Sequence, residues 1–275
     1  MTTRPTDSRT AFADAVRRAG YEVLPFPSTH DKVLAHVPVE VPLTVTTTEA
    51  KGLEPTLDLA VRLRAAGYRV APHLAARLVR DKEHLTDIAA RLGGAGVDDV
   101  FVIGGDATEP VGVFPDALSL LEALGDTGYT FGSVGIGGYP EGHPRIPDAT
   151  LTQALQDKAP YATHVVTQLC FDAATTTRWA SRVGLPVHVG VPGAVSRQKL
   201  IRVSAGLGLG QSARFLTKQQ SMFWRFFLPG GYRADRLLDK LAPAFTGPLA
   251  GIHVFTFNDL EATEEWRQNL LARLS

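Results

Sequence analysis

The chain has 275 residues, with 28 Lys+Arg against 28 Asp+Glu and a formal net charge of zero. That balance excludes a broad electrostatic footprint for nucleic acid or an anionic membrane and leaves only a local basic pocket open. Cys170 is the only cysteine, which excludes an intrachain disulfide and any cysteine-based zinc or iron–sulfur site.

The first ten residues, MTTRPTDSRT, carry no apolar core of a leader, and no run approaches the length of a membrane span, so a cytoplasmic location is expected. Short β-rich runs then alternate with helical patterns. Strands are predicted at 21–26, 41–47, 68–74, 99–104, 130–136, 162–169, 186–191 and 251–257. Most are continuous apolar runs, as expected of strands buried on both faces. The connection 27–39 after the first strand is short for a full helix. Helices are predicted over Pro55–Ala66, Lys82–Leu92, Pro115–Leu124, Asp148–Lys158, Ala173–Val183, Ser196–Ser204 and Glu261–Leu274. Pro55 and Pro115 suit a first turn, and Asp81, Asp148 and Ser196 suit N-caps. In the last helix Glu261 and Glu264 near the start and Arg273 near the end complement the helix dipole. The stretch 205–250 is long and aromatic-rich, with Phe215, Phe223, Trp224, Phe226 and Phe227. It is expected to hold two extra helices split at 229–231, packing on the barrel or at a homo-oligomer interface.

Eight strands with intervening helices count out one α/β domain over 1–275, a (β/α)8 TIM barrel with extra helices before the last strand. An open doubly wound sheet is the alternative. In a parallel barrel the strand C-termini converge on one mouth, and the candidates there are Glu22, Thr46, His73, Asp106, Tyr139, His143, Gln168 and Asn258. Glu22 lies inside an apolar run. Pointing inward, it would lose hydration, its pKa would rise and it would serve as a proton donor. Pointing outward, it would salt-bridge a helix. Asp106 follows Gly104-Gly105, where backbone can approach a ligand closely, although a turn or N-cap aspartate has the same look. Gln168 suits the hydrogen-bonding edge of a heterocycle or the backbone of its own loop. The GLGLG run at 206–210 does not sit between strand and helix as a dinucleotide fingerprint requires, and the histidines lack metal-ligand spacing.

Together the blocks Tyr21-Glu22, Thr46, Ala71-Pro72-His73-Leu74, Gly105-Asp106, Tyr139-Pro140-Glu141-Gly142-His143-Pro144, Val166-Thr167-Gln168 with Phe171-Asp172, Pro192-Gly193, Gly251-Ile252-His253 and Phe255-Thr256-Phe257-Asn258 resemble the methylenetetrahydrofolate reductase family. The resemblance implies a cytoplasmic barrel of one-carbon metabolism and methionine biosynthesis. It would reduce 5,10-methylenetetrahydrofolate with NADH or NADPH as co-substrate, through bound FAD. It further implies Glu22 as general acid and Asp106 as a catalytic group beside flavin and pterin. Gln168, Phe257 and Asn258 would be substrate contacts, and Thr46, His73, Gly105, Asp106, Tyr139, His143 and Lys158 flavin contacts. The chain departs from the family where Gly104 replaces an arginine, Phe255 a tyrosine and Asp259 an arginine. Oxidation of methyl-folate, direct nicotinamide-to-folate hydride transfer and a non-catalytic folate- or flavin-binding barrel are the alternatives.

Overall fold

Eight short runs rich in Val, Ile and Leu become eight parallel strands, each buried between a packed interior and a ring of helices. The computed structural model describes residues 7–143, 146–194 and 234–275. The strands are β1 (Gly20–Val23), β2 (Leu43–Val45), β3 (Val70–Ala75), β4 (Asp99–Ile103), β5 (Ser133–Gly138), β6 (His164–Leu169), β7 (Val187–Pro192) and β8 (Leu249–Phe255). They close in sequence order, β8 returning to β1, into an all-parallel barrel. The (β/α)8 expectation holds, and the open sheet is excluded.

The helices are α1 (Ser8–Arg17), α2 (Thr29–His36), α3 (Glu54–Ala65), α4 (Lys82–Gly94), α5 (Ala117–Leu124), α6 (Asp148–Lys158), α7 (Ala173–Ala180), α8 (Ala234–Leu241) and α9 (Leu260–Leu274). Each of α3 and α4 lays an apolar stripe on the barrel. Leu57, Ala60 and Leu63 of α3 and Leu85 and Leu92 of α4 are fully buried. Each leucine so buried contributes roughly 2 kcal/mol.

Local chemistry sets the ends. Asp81 caps α4 by accepting from the His84 amide at 2.7 Å. Asp116, rather than a first-turn Pro115, starts α5 by accepting from the Ser119 amide at 3.0 Å. Asp148 is the first residue of α6 and makes no capping bond there. Two helices depart from expectation. The connection 27–39 does hold a helix, the two-turn α2, and α1 precedes the first strand. Phe12 of α1 stacks on Phe245 at 5.6 Å between ring centroids. The predicted helix Ser196–Ser204, the split at 229–231, the aromatic residues 215–227 and the run 206–210 lie outside the described residues. Among the described residues no helix is long and apolar enough to cross a membrane.

The parity of β1 decides where Glu22 goes. Tyr21 and Val23 face outward and are fully buried under the helices. The Tyr21 hydroxyl donates to Glu264 Oε2 at 2.7 Å, and Glu264 also holds the buried Arg267. Glu264 is therefore tied to β1 and to its own helix rather than serving the dipole of α9. With Tyr21 fixed outside, the alternation of a strand turns Glu22 into the barrel.

Candidate active site

Glu22 stands at the level of Thr44 on β2 and Phe255 on β8, its strand neighbours in register. Two imidazoles bracket its carboxylate. His253 Nε2 lies 3.5 Å and His73 Nε2 3.6 Å from Glu22 Oε2. Both histidines are buried, and Glu22 keeps 19% side-chain exposure toward the mouth. The His73 ring rests on Phe101 at 4.7 Å, and the His253 ring meets Phe255 edge-on at 5.0 Å. Thr44 Oγ1 and His73 Nε2 are buried without a protein hydrogen-bond partner, so polar capacity is concentrated around this one carboxylate.

The expected rise in the Glu22 pKa is corrected. Burial is the largest single influence and pushes it up. A hydrogen bond from His253 and the positive potential of His73 and His253 together outweigh burial and hold the carboxyl below its usual range. His73 moves down to about 4, because burial penalises its cation and His253 repels it, against the opposing pull of Glu22. At neutral pH the site rests as a carboxylate accepting from His253.

Backbone around Glu22 is held by the end of β8. Thr256 Oγ1 donates to the Glu22 carbonyl at 2.6 Å. The Asn258 amide closes a ring on Leu24, accepting from its N–H at 2.8 Å and donating to its C=O at 3.0 Å, and its second N–H reaches Thr29 Oγ1 at 2.8 Å. These bonds replace ladder pairing, which is why β1 ends at Val23 and not at residue 26. Phe257 and Asn258 are the only non-glycine residues with positive φ among those described, at 49° and 56°. Such conformations persist where surrounding contacts over-determine them. Asn258→Ala would strand the Leu24 groups and is expected to cost about 3 kcal/mol of stability. Urea unfolding checks it, and an unchanged midpoint would show that the amide is not a clamp.

The other candidates divide into two groups. Tyr139 hydrogen-bonds Gln168, and its phenol pKa is raised by burial first and by the nearby Asp106 carboxylate second. The Tyr139 ring meets His143 edge-on at 5.3 Å. Asp106, Tyr139, His143 and Gln168 thus gather beside the ends of β4, β5 and β6. Gly105 sits there with φ 89°. Thr46 spends its backbone on Val23 and Thr56. Thr47 holds the His73 carbonyl at 2.8 Å. Lys158 lies on the wall of a cavity of about 380 Å3 that Tyr139 also lines, bounded by 137–142, α6, Thr175 and Trp179, and burial lowers its pKa.

That cavity bears on the flavin. A dinucleotide flavin brings a diphosphate, which needs cations or a helix N-terminus. Lys158 is the one cation among the described lining residues, and Glu141 and Asp148 face the same space. Glu141 already accepts from the Asp172 amide at 2.8 Å. His73, matched to a flavin contact, is buried against Glu22. The uncapped N-terminal turn of α6, at Asp148, lines the same cavity.

His253 stood within a quoted block without an assigned role. Its signal was parity: Gly251, His253 and Phe255 alternate inward on β8, and a histidine on the inward face of an apolar strand needs a partner. Thr256 carried no signal, because its hydroxyl acts on backbone 234 residues away in sequence.

Fold and site together define a (β/α)8 barrel with an inward carboxylate bracketed by two buried histidines. Residues 26–189 match the sequence model of the methylenetetrahydrofolate reductase family, and the chain belongs to that family. Glu22 and His253 lie on either side of the matched span. Among solved structures, a Clostridium thermocellum protein that binds two copies of 5-methyl-5,6,7,8-tetrahydrofolic acid superposes with a TM-score of 0.57 at 12% identity, covering 94% of this chain and 96% of its own. The aldolase QR15 superposes with a TM-score of 0.51 at 9% identity, covering 94% and 98%. At these identities the likeness is one of fold.

Proposed function

We propose that this chain reduces 5,10-methylenetetrahydrofolate to 5-methyltetrahydrofolate with hydride taken directly from NADH or NADPH. The observation that carries the reading is the Glu22 carboxylate between His73 and His253 on the barrel axis, in a chain of this family. Folate binding strips the remaining water from Glu22 and lets the carboxyl take up a proton. Glu22 then hands it to N10 of the folate, the bond from N10 to the methylene carbon breaks, and an iminium forms at N5. The carboxylate left behind stabilises that cation in a low-dielectric site. Hydride from the nicotinamide then converts the methylene carbon to methyl. The sum consumes one folate, one reduced nicotinamide and one proton. Gln168, held by Tyr139, would read the pterin edge, Asp106 would face the reacting rings, and Phe257 would flank them. Asn258 would act through the β1 backbone. Binding of methyltetrahydrofolate by the Clostridium thermocellum neighbour supports a folate ligand in such a barrel.

The ionised resting state of Glu22 also favours the reverse reaction, where it would take the N10 proton during oxidation of methyl-folate. Equilibration from both sides tests both. Purified protein, first inspected for visible flavin absorption, is mixed with methylenetetrahydrofolate and NADH or NADPH, and the folate product is quantified by mass spectrometry. A colourless protein forming one methyl-folate per nicotinamide oxidised is expected. A bound flavin that bleaches with nicotinamide and recolours with folate would overturn direct transfer, and no folate product in either direction would overturn the reading altogether.

A further inference from the structure

Below Glu22 the barrel axis is lined with imidazoles where bulky apolar side chains usually form the layers. His253 is the inward residue at the level of Gly190, and His188, one inward step down on β7, pairs with Gly251. The ring of His188 lies 5.1 Å, centroid to centroid, from that of His164 on β6. Two glycines make room for these rings. A Cβ at Gly135 would meet His164 Nε2 at 2.7 Å, and one at Gly251 would meet His188 Nδ1 at 3.1 Å.

The column has a direction. His253 is buried, whereas His188 and His164 are half-buried at the N-terminal mouth. There Thr163 Oγ1 lies 3.1 Å and Ser133 Oγ 3.5 Å from His164 Nδ1. The Arg69–Asp99 ion pair stands at the same end of the barrel, where β3 and β4 begin.

We propose that His164, His188 and His253 form a proton path from solvent at the N-terminal mouth to Glu22, separate from the route by which substrates enter. The inference rests on the proposed folate reduction, which consumes one proton per turnover. With folate and nicotinamide stacked over Glu22, bulk water is excluded from above. After Glu22 gives its proton to N10, the carboxylate takes one from His253 Nε2. His253 recovers a proton from His188 through an intervening water, and His188 recovers one through His164 from solvent. No charge accumulates and no electrons move along the column. A neutral imidazole accepts on one nitrogen and releases from the other. Burial first, and then repulsion from neighbouring histidines and Arg69, keep His164 at about 4 and His188 at about 3, with Asp99 opposing at His164. Both are therefore neutral at pH 7, facing His253, Arg69 and Asp99.

His188→Ala and His164→Asn test the path. Each is expected to lower steady-state kcat roughly tenfold or more. KM for folate and nicotinamide should stay unchanged. Added imidazole should restore kcat of His188→Ala by occupying the vacated space. Wild-type kcat in both variants would overturn the path. So would a loss of kcat in His188→Ala that imidazole does not rescue, or a matching change in KM, the marks of a purely structural role. If His188→Ala does not fold, the same kinetic split in His164→Asn decides. A wild-type protein inactive on methylenetetrahydrofolate would instead overturn the proposed function.

Discussion

Glu22→Gln is expected to lower kcat for methylenetetrahydrofolate reduction by ~10²–10⁴, a barrier increase of about 3–5 kcal/mol, with folate binding and the folded state retained. Glutamine keeps the volume of the side chain and an oxygen that can still accept from His253 Nε2, now 3.5 Å away. What it loses is the transferable proton and the charge that would stabilise the iminium. Because the hydrogen bond from His253 and the potential of the two histidines outweigh burial at this carboxylate, the neutral amide should be modestly less stable at neutral pH but still folded. Rapid-mix kinetics with folate binding measured in parallel separate chemistry from affinity. A variant retaining more than about a tenth of wild-type kcat would remove Glu22 from the chemistry.

Acid should unfold this barrel unusually early. His73 has its folded pKa lowered to about 4 by burial, against 6.5 in the unfolded chain. Between those values the unfolded state binds the extra proton, so stability is full above pH 6.5 and falls as pH drops toward 4. His73 alone contributes a loss of about 1.4 kcal/mol per pH unit in that window. His164 and His188 share the direction, their windows reaching down to about 4 and 3. Half-buried, they contribute less per unit. Glu22, whose pKa is lowered, adds its own loss only below its unfolded value of 4.5. Urea midpoints at pH 7 and pH 5 should differ clearly in wild type and less in His73→Gln. Equal pH dependence in the two proteins would mean that His73 is not held neutral in the fold.

Much of the barrel was legible because its signals are local. All eight predicted strands exist, since continuous Val, Ile and Leu runs between glycine- and proline-rich turns have few other uses in a chain of this length. The bounds shifted where long-range bonds intervene: Asn258 takes the Leu24 backbone and shortens β1. The two-turn α2 escaped notice because eight residues give too little periodicity to read. At the site, position alone left Glu22 equally able to face in or out. Its direction was settled by Tyr21 bonding Glu264, a pair 243 residues apart. The shift in its pKa could not be read from burial alone, because the sign turns on two histidines delivered by β3 and β8. Lys158, matched to the same ligand as His73, lines a cavity shared with Tyr139, a placement that only the closed topology reveals.

The Asn258 clamp also has a consequence for synthesis of the chain. β1 is made early, but the groups that fix the backbone of Glu22 belong to residues 256 and 258. A nascent chain displaying seven strands has no partner for one edge of β1 and no fixed geometry for its key carboxylate. Competence therefore appears in one step, when β8 docks. On the proposed function, turnover would report ring closure, and partly made or misclosed barrels would be silent rather than weakly active.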